Sequence, residues 1–260
     1  IEGSAVGSTR SNFNIVGWNN VTGLDSVIFL DELCDWQDKN SPALVKAQLP
    51  PDKVLYTSGN EHNAYYMSRV YYEADVLISL PCLKNHSNTG ITGGIKNVGI
   101  GATPIPIYGW GPNDPTIPNE RWNPDNGINH GTETNRDPLH NWIHDFYLAR
   151  PVDFVLMDGL QGIEMGPAGH FGSLSSCQEN MRLILASHDP VAIDAIESLI
   201  CGHNPYRIRY LSTLHRDEAG NMDPRLIRVL GKEVHEVKKK FRIFDSGSLT
   251  TYNDFSAPEP

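Results

Sequence analysis

A chain of 260 residues, 39% of them hydrophobic, predicts one domain with a substantial core and excludes disorder throughout. The formal net charge of -10 argues against nucleic acid or an anionic membrane surface as the main partner, because both require clustered cations. No apolar run approaches the roughly 20 residues that a membrane-spanning helix needs.

Short apolar runs alternate with segments of helical spacing along the chain. The runs are continuously hydrophobic, as expected for strands that are buried on both sides. The alternation therefore predicts an α/β fold with a mostly parallel sheet that helices cover on both faces. The predicted strands are residues 26–30, 53–57, 75–80, 153–158 and 182–187. The predicted helices include residues 64–74, 139–146 and 189–202, the last with Asp189 as N-cap, Pro190 at its first position and Gly202 as C-cap.

We expect a single domain over residues 1–245 and a tail over residues 246–260. The chain begins with Ile1 and Glu2, which look like the end of a strand entering a glycine turn, so a leader or a first strand is expected upstream. Residues 101–138 form an irregular loop insertion that is rich in proline, glycine and asparagine. Such long segments inside a domain are usually functional or disordered, and the tryptophans and tyrosine here favour an ordered loop.

The segment HSNTGITGGIK, residues 86–96, directly follows the third predicted strand. In open α/β sheets, ligands bind at the carboxyl ends of the strands. The glycines would let the backbone approach a ligand closely, and the amides that open the next helix would attract a phosphate or carboxylate. The sequence therefore predicts an anion or nucleotide cradle with His86 at one end. The alternative is an ordinary strand-to-helix turn with a solvated lysine. The predicted cradle residues are Asn88, Thr89, Gly90, Thr92, Gly93, Gly94 and Lys96.

Three blocks of the sequence carry a resemblance to a known family. They are EADVLISLPCLKNHSNTGITGGIKNVGIG (73–101), MDGLQGIEMGPAGHFG (157–172) and LASHDPVAIDAIESLICGHNP (185–205). In order and spacing they resemble domain-of-unknown-function family 362, whose members often occur with ferredoxin-like modules or behind twin-arginine leaders. The resemblance implies a ferredoxin-like partner and an extracytoplasmic location. The chain departs from the family by its insertion and by lacking ferredoxin cysteines. Its four scattered cysteines are expected to be unpaired, although an even count would allow two disulfides.

A second resemblance concerns the pattern H-x-x-x-G-x-x-G-G-x-K within the glycine segment. It is similar to a segment of nickel-pincer lactate racemases in which the histidine ligates nickel and the lysine holds the pincer nucleotide covalently. The resemblance implies that His86 is a metal ligand, that Lys96 anchors a cofactor, and that the substrate is a small hydroxy or carboxylic acid. The cofactor would be a divalent metal (nickel, zinc or iron) or a pincer-type nucleotide.

Three further histidines are candidate metal ligands. His140 and His144 are four residues apart on a predicted helix, which places both imidazoles on one face at a spacing that suits a metal. His130, in the insertion, is a candidate for the third ligand, and Glu133 is another. The alternative is a partly exposed histidine pair that binds no metal.

Asp158 and Glu164 lie at and beyond the end of the fourth predicted strand, and we expect them to face the same edge as His86. There they could bind a metal, accept a proton or fix a ligand hydroxyl. The alternative for Asp158 is that it caps a turn. Asp194 lies inside an apolar helix, and a buried carboxylate needs a partner, for which Lys96 and the Asp158 loop are candidates.

Two hypotheses about function follow. The first is an enzyme that depends on a metal or nucleotide cofactor and acts on a small anionic hydroxy or carboxylic acid at the carboxyl edge of the sheet, with His86, Lys96, Asp158 and Glu164 as catalytic residues. The second is a non-catalytic binding or assembly protein, a homo-oligomer that uses residues 101–138 for subunit contacts, with an architectural glycine motif. The 21 asparagines are typical of secreted surfaces, which favours a periplasmic or extracytoplasmic location over a cytoplasmic one.

Overall fold

The computed structural model describes residues 8–17, 20–36, 38, 40–56, 64–103, 137–166 and 174–243. The helices within these ranges are α1 (Thr9–Val16), α2 (Arg69–Tyr72), α3 (Gly93–Gly101), α4 (Asp137–Ala149), α5 (Pro190–Ile200), α6 (Arg209–Arg216) and α7 (Val234–Val237). The strands are β1 (Leu44–Gln48), β2 (Ala64–Ser68), β3 (Ile78–Ser79), β4 (Cys82–His86), β5 (Gly90–Ile91), β6 (Phe154–Ile163) and β7 (Gln178–Ser187). Most of the predicted insertion and all of the predicted tail lie outside the described residues.

The centre of the fold is β6, the long strand of a five-stranded sheet. β3 and β4 run parallel to β6, one after the other along one edge, with Pro81 between them. β7 pairs antiparallel with the other edge of β6, and β5 pairs antiparallel with β4. β1 and β2 form a separate antiparallel pair. The predicted α/β class is confirmed, with a sheet that mixes parallel and antiparallel pairs.

The segments with the strongest sequence patterns form the strands and helices that the sequence predicts. β6 includes all but the first residue of the fourth predicted strand, β7 contains the fifth, and α4 contains the predicted helix 139–146. α5 begins after Asp189, whose side chain accepts a hydrogen bond from the backbone N–H of Ala192 at 2.9 Å. Pro190 is the first helical residue, and Gly202 follows the helix end with φ of 78°. The local capping signals of α5 were therefore sufficient to place it.

Three predicted strands were wrong or too long. In residues 26–30 only one residue makes a β-bridge, and the chain then enters a 3₁₀ turn at Leu30–Glu32. Residues 54–56 follow a turn at Pro51–Lys53 and have no regular structure, because the N–H groups of Leu55 and Tyr56 donate to the carboxylate of Asp145 instead of to a neighbouring strand. The predicted strand 75–80 is reduced to the two residues of β3.

The predicted helix over residues 64–74 was also wrong, because its first half is the strand β2. Tyr65 and Met67 are buried and Tyr66 is less so, which is a period of two in residues that favour strands. The hydroxyl of Ser68 then accepts a hydrogen bond from the backbone N–H of Tyr71 at 3.1 Å and starts the short helix α2. The helical spacing therefore applied only to the second half.

Helices cover one face of the five-stranded sheet rather than both. α3 packs against β6 so closely that a Cβ on Gly94 would lie 2.5 Å from the side chain of Val155. α5 packs on the same buried side against β5, β6 and β7. On the other face the side chains of β6 and β7 that alternate with the buried ones are exposed. As far as the structure describes the chain, the predicted cover of both faces is therefore wrong.

The cysteines are all unpaired thiols: Cys177 and Cys201 are buried, Cys34 is partly buried and Cys82 is exposed. The two disulfides that their even number would allow are not formed. Among the helices of the described ranges, none is long and apolar enough to cross a membrane.

Candidate functional site

The glycine segment forms the end of β4, the short strand β5 and the first turns of α3. The backbone amides at the start of α3 bind a carboxylate of the chain itself. Oδ1 of Asp194, on α5, accepts a hydrogen bond from the N–H of Gly94 at 2.6 Å, and Oδ2 accepts one from the N–H of Ile95 at 3.2 Å. The hydroxyl of Tyr210 also donates to Oδ2 at 3.3 Å. Helix amino termini attract anions, and here Asp194 supplies the anion.

The glycines of the segment permit close packing within the protein. Gly93 has φ of 62°, and a Cβ at this position would overlap the carboxylate of Asp194. Gly94 allows α3 to approach Val155, and Gly90 turns the chain with φ of 79°. Both close approaches are therefore made to other parts of the protein, which explains the Gly93–Gly94 pair without a ligand.

A group of buried polar side chains lies beside this contact, and we call Thr92, Lys96 and Glu197 the Lys96 cluster. Thr92 directly precedes α3, Lys96 lies about one turn further along on α3, and Glu197 is on α5. The backbone of Lys84 links the two sides: its N–H donates to Oε1 of Glu197 at 3.1 Å, and its carbonyl accepts from the N–H of Thr92 at 3.1 Å. In the described part of the chain, the buried hydroxyl of Thr92 and the buried Oε2 of Glu197 have no hydrogen-bond partner.

The charge state of the Lys96 cluster is governed by burial. Burial lowers the pKa of the Lys96 amine well below its usual range, the Lys84 cation acts in the same direction, and Glu197 opposes them. Burial also raises the pKa of the Glu197 carboxyl well above its usual range, and Asp194, one turn away, adds to this. The pKa of Asp194 rises to about 7 because of burial, against the hydrogen bonds from the α3 amides. Burial therefore favours a neutral amine beside a protonated carboxyl group.

Two histidines meet at the loop between β4 and β5. Nδ1 of His86 accepts a hydrogen bond from the N–H of Asn88 at 3.0 Å, so the neutral ring carries its hydrogen on Nε2. His140, from α4, is hydrogen-bonded to the backbone of Asn88, and its Nδ1 accepts from the N–H of Tyr210 at 3.4 Å. Burial lowers the pKa of His140 to about 4, against the Asp137 carboxylate, and Lys96 is near enough to lower it further whenever its amine is protonated. The fold thus brings His86, His140 and Lys96 to one region.

A family match covers this region. Residues 39–198 match a domain of unknown function, DUF362, over more than half of the chain. The chain belongs to the DUF362 family. No curated protein and no solved structure matches it significantly. The family has no assigned function, so the geometry of the site is what indicates the chemistry of this DUF362 chain.

The predicted histidine pair of the DUF362 chain does not converge on one ligand. His144 is buried between two carboxylates, with Nδ1 at 2.6 Å from Oδ1 of Asp145 and Nε2 at 3.1 Å from Oδ2 of Asp217. The ring of His140 instead bonds to backbone groups of the site. Among the described residues, no three histidine, cysteine or acidic side chains are grouped to hold a metal. His130 lies outside the described residues.

The two predicted carboxylates, Asp158 and Glu164, also make their contacts away from the Lys96 cluster. Asp158 is exposed, and its Oδ1 accepts a hydrogen bond from the N–H of Leu160 at 2.9 Å. It pairs with the first residue of β4, whereas His86 is the last, about 13 Å further along at 3.3 Å per residue. Glu164 is buried, and its carboxylate forms a salt bridge with Arg242 and accepts the N–H of Arg242 at 2.7 Å. Neither carboxylate has a contact with the Lys96 cluster that the structure records.

Two important residues of the DUF362 site were missed in the sequence. Glu197 had a detectable signal, since it follows Asp194 by three residues in a helix that is otherwise almost wholly apolar, so both carboxylates share a face. Tyr210 had none, because its contacts with Asp194 and His140 depend on how α6 packs. The sequence suggested Lys96 or the Asp158 loop as the partner of Asp194. In the structure, Asp194 instead accepts hydrogen bonds from backbone amides of α3.

Proposed function

We propose that this DUF362 chain is an enzyme that acts on a small carboxylic acid at the carboxyl end of β4, with the amine of Lys96 as its reacting group. One observation carries the proposal: the buried Lys96 side chain interacts electrostatically with Glu197, whose buried Oε2 has no hydrogen-bond partner among the described residues. An unpaired buried polar group costs about 1–3 kcal/mol, and catalytic sites are where such groups are retained.

The chemistry follows from the neutral amine, which is the form of lysine that attacks carbonyl carbon. A small 2-oxo acid supplies both the carbonyl and the negative charge. The Lys96 nitrogen bonds to the carbonyl carbon, and the carbonyl oxygen leaves as water after taking one proton from the amine and one from an acid. Glu197, whose pKa is raised by burial, supplies the second proton, and a protonated imine remains. The hydroxyl of Thr92 donates a hydrogen bond to the carboxylate of the ligand.

The cofactors implied by the racemase resemblance do not fit the described residues. A nucleotide phosphate would need the amides of Gly94 and Ile95, which bind Asp194. A metal would need Nε2 of His86, which carries hydrogen because Nδ1 accepts the N–H of Asn88. The proposal therefore depends on the chain's own amine.

Reductive trapping tests the proposal. The purified chain is mixed with sodium pyruvate or glyoxylate and sodium cyanoborohydride, and the adduct is located by peptide mass mapping. We expect one main adduct, on Lys96, that is lost in Lys96→Arg and retained in the matched control Lys84→Arg. Labelling confined to exposed lysines such as Lys238 in the folded wild-type chain would overturn the proposal, whatever the variants do.

A second variant tests the role of Glu197. Glu197→Gln keeps the acceptor for the N–H of Lys84 but removes the acidic proton, so trapping on Lys96 should slow by about 10²-fold, the lower part of the range for a lost general acid. Adding a small external acid such as acetic acid should restore part of the rate. An unchanged trapping rate in folded Glu197→Gln would remove Glu197 from the mechanism.

A further inference from the structure

The sheet face opposite α3 and α5 carries large apolar side chains on its surface, and we call it the open face. Its aliphatic residues are between 42% and 68% exposed. They come from three successive parts of the sheet, so the exposure belongs to a continuous surface rather than to scattered side chains. The aliphatic residues are Ile78, Leu80, Leu156, Leu160 and Ile184.

The strand register shows that these side chains are neighbours. Leu156 lies opposite Ala186, and Asp158 lies between Ile184 on β7 and Cys82 on β4. With strands 4.8 Å apart and residues of one face about 6.6 Å apart, each side chain covers about 32 Å², so the five aliphatic residues cover on the order of 160 Å². That is less than the ~800 Å² that each partner contributes to a stable complex. It is therefore suited to the centre of a modest interface.

A cation and an anion, Arg182 and Asp158, also lie on the open face. Arg182 is exposed with φ of 56°, a left-handed conformation that is unfavourable for a residue with a side chain. It lies in a bulge of β7, since one residue of β6 between Gly159 and Gln161 faces two residues of β7. Bulges of this kind redirect side chains. Arg182 is thereby held two residues from Ile184, the partner of Asp158.

We propose that the open face binds a second copy of this chain, sheet against sheet, with Arg182 of each copy against Asp158 of the other. A twofold contact uses the same patch twice, so it requires a surface that complements itself. An apolar centre with one positive and one negative side chain meets this requirement. Thr103 and Asp137, the described residues that flank residues 104–136, belong to the helical layer of the other face. This assembly is independent of the chemistry proposed for Lys96.

Analytical ultracentrifugation over a range of concentrations gives the first test. We expect a monomer–dimer equilibrium with a dissociation constant in the micromolar range for the wild-type chain. Leu156→Asp should weaken the dimer at least tenfold without loss of the fold, because Leu156 is already 42% exposed. A wild-type chain that stays monomeric at high concentration would overturn the proposal and would indicate that another segment or partner covers the face.

Charge reversal gives the decisive test. Asp158→Arg and Arg182→Asp should each be largely monomeric, because each homodimer would contain two repulsive pairs. Mixing the two variants should restore a heterodimer, since both pairs are then attractive. Cover by another part of the same chain cannot give this result, so a mixture that stays monomeric refutes the pairing. Arg182→Gly is a further check: it relieves the left-handed strain, so the monomer should melt at a higher temperature while the dimer weakens.

Discussion

The contact between Gly93 and Asp194 makes a quantitative prediction for Gly93→Ala. The new methyl group would overlap the Asp194 carboxylate, and alanine would have to adopt φ of 62°. The backbone conformation costs about 1 kcal/mol. Displacement of the carboxylate weakens two charged hydrogen bonds, to Gly94 and Ile95, at about 1.5 kcal/mol each. We therefore expect Gly93→Ala to lower the free energy of unfolding by about 4 kcal/mol.

A double-mutant cycle separates the two causes. When Asp194→Ala has removed the carboxylate, Gly93→Ala should cost only the backbone term of about 1 kcal/mol, so the coupling is about 3 kcal/mol. Gly231→Ala is the matched control, because Gly231 has φ of 100° and no atom within 4 Å of the added Cβ. Unfolding in urea at pH 8.5, above the Asp194 pKa of about 7, is followed by tryptophan fluorescence for all five chains, the wild type and the control included. Additive costs, or a Gly93→Ala cost equal to that of Gly231→Ala, would refute this account of the helix start.

Three further predictions concern two buried polar side chains and one buried glycine. The pKa of His140 is lowered to about 4, so the unfolded chain binds the proton first as the pH falls, and stability should drop by about 3 kcal/mol between pH 6.5 and 4 relative to His140→Gln in urea titrations. Tyr65→Phe removes a hydroxyl that donates to Oδ2 of Asp145 at 2.5 Å and should cost about 2 kcal/mol by the same measurement; no loss would mean that the bond is unimportant. Gly166→Ala should unfold or severely destabilise the chain in thermal melts, because its Cβ would overlap the carbonyl oxygen of Asn85.

The parts of the fold that could be predicted are those determined by local sequence. α5 follows from its cap and its proline, and β6 from a long apolar run. The cover of the sheet could not be predicted in the same way. The apolar residues of β7 form a continuous run, but Ile184 is exposed, since a run of this kind records hydrophobicity and not whether a second layer exists. Antiparallel sheets often leave one face exposed to water. The antiparallel pairing of β6 with β7 is known only from the strand register of the structure.

The candidate site shows the same division between local and distant causes. Its position after β4 and the start of α3 follow from the order of the strand, the glycines and the next helix. The identity of the anion at α3 does not, because Asp194 and Gly94 are 100 residues apart in the chain. His140 likewise reaches the site because of the way α4 packs. The four-residue spacing between His140 and His144 does not show which of the two histidines will reach it.

Asp194 also determines what Lys96 can do. At an open helix start, a bound phosphate would hold the neighbouring lysine as an ammonium ion by its charge. Here the amides of α3 already compensate the Asp194 carboxylate, and no described anion forms an ion pair with Lys96. Burial then dominates the lysine, and the amine loses its proton more readily than a solvated one would. The same glycine pattern that would form an anion cradle with its amides open therefore favours amine chemistry once a carboxylate of the chain fills them.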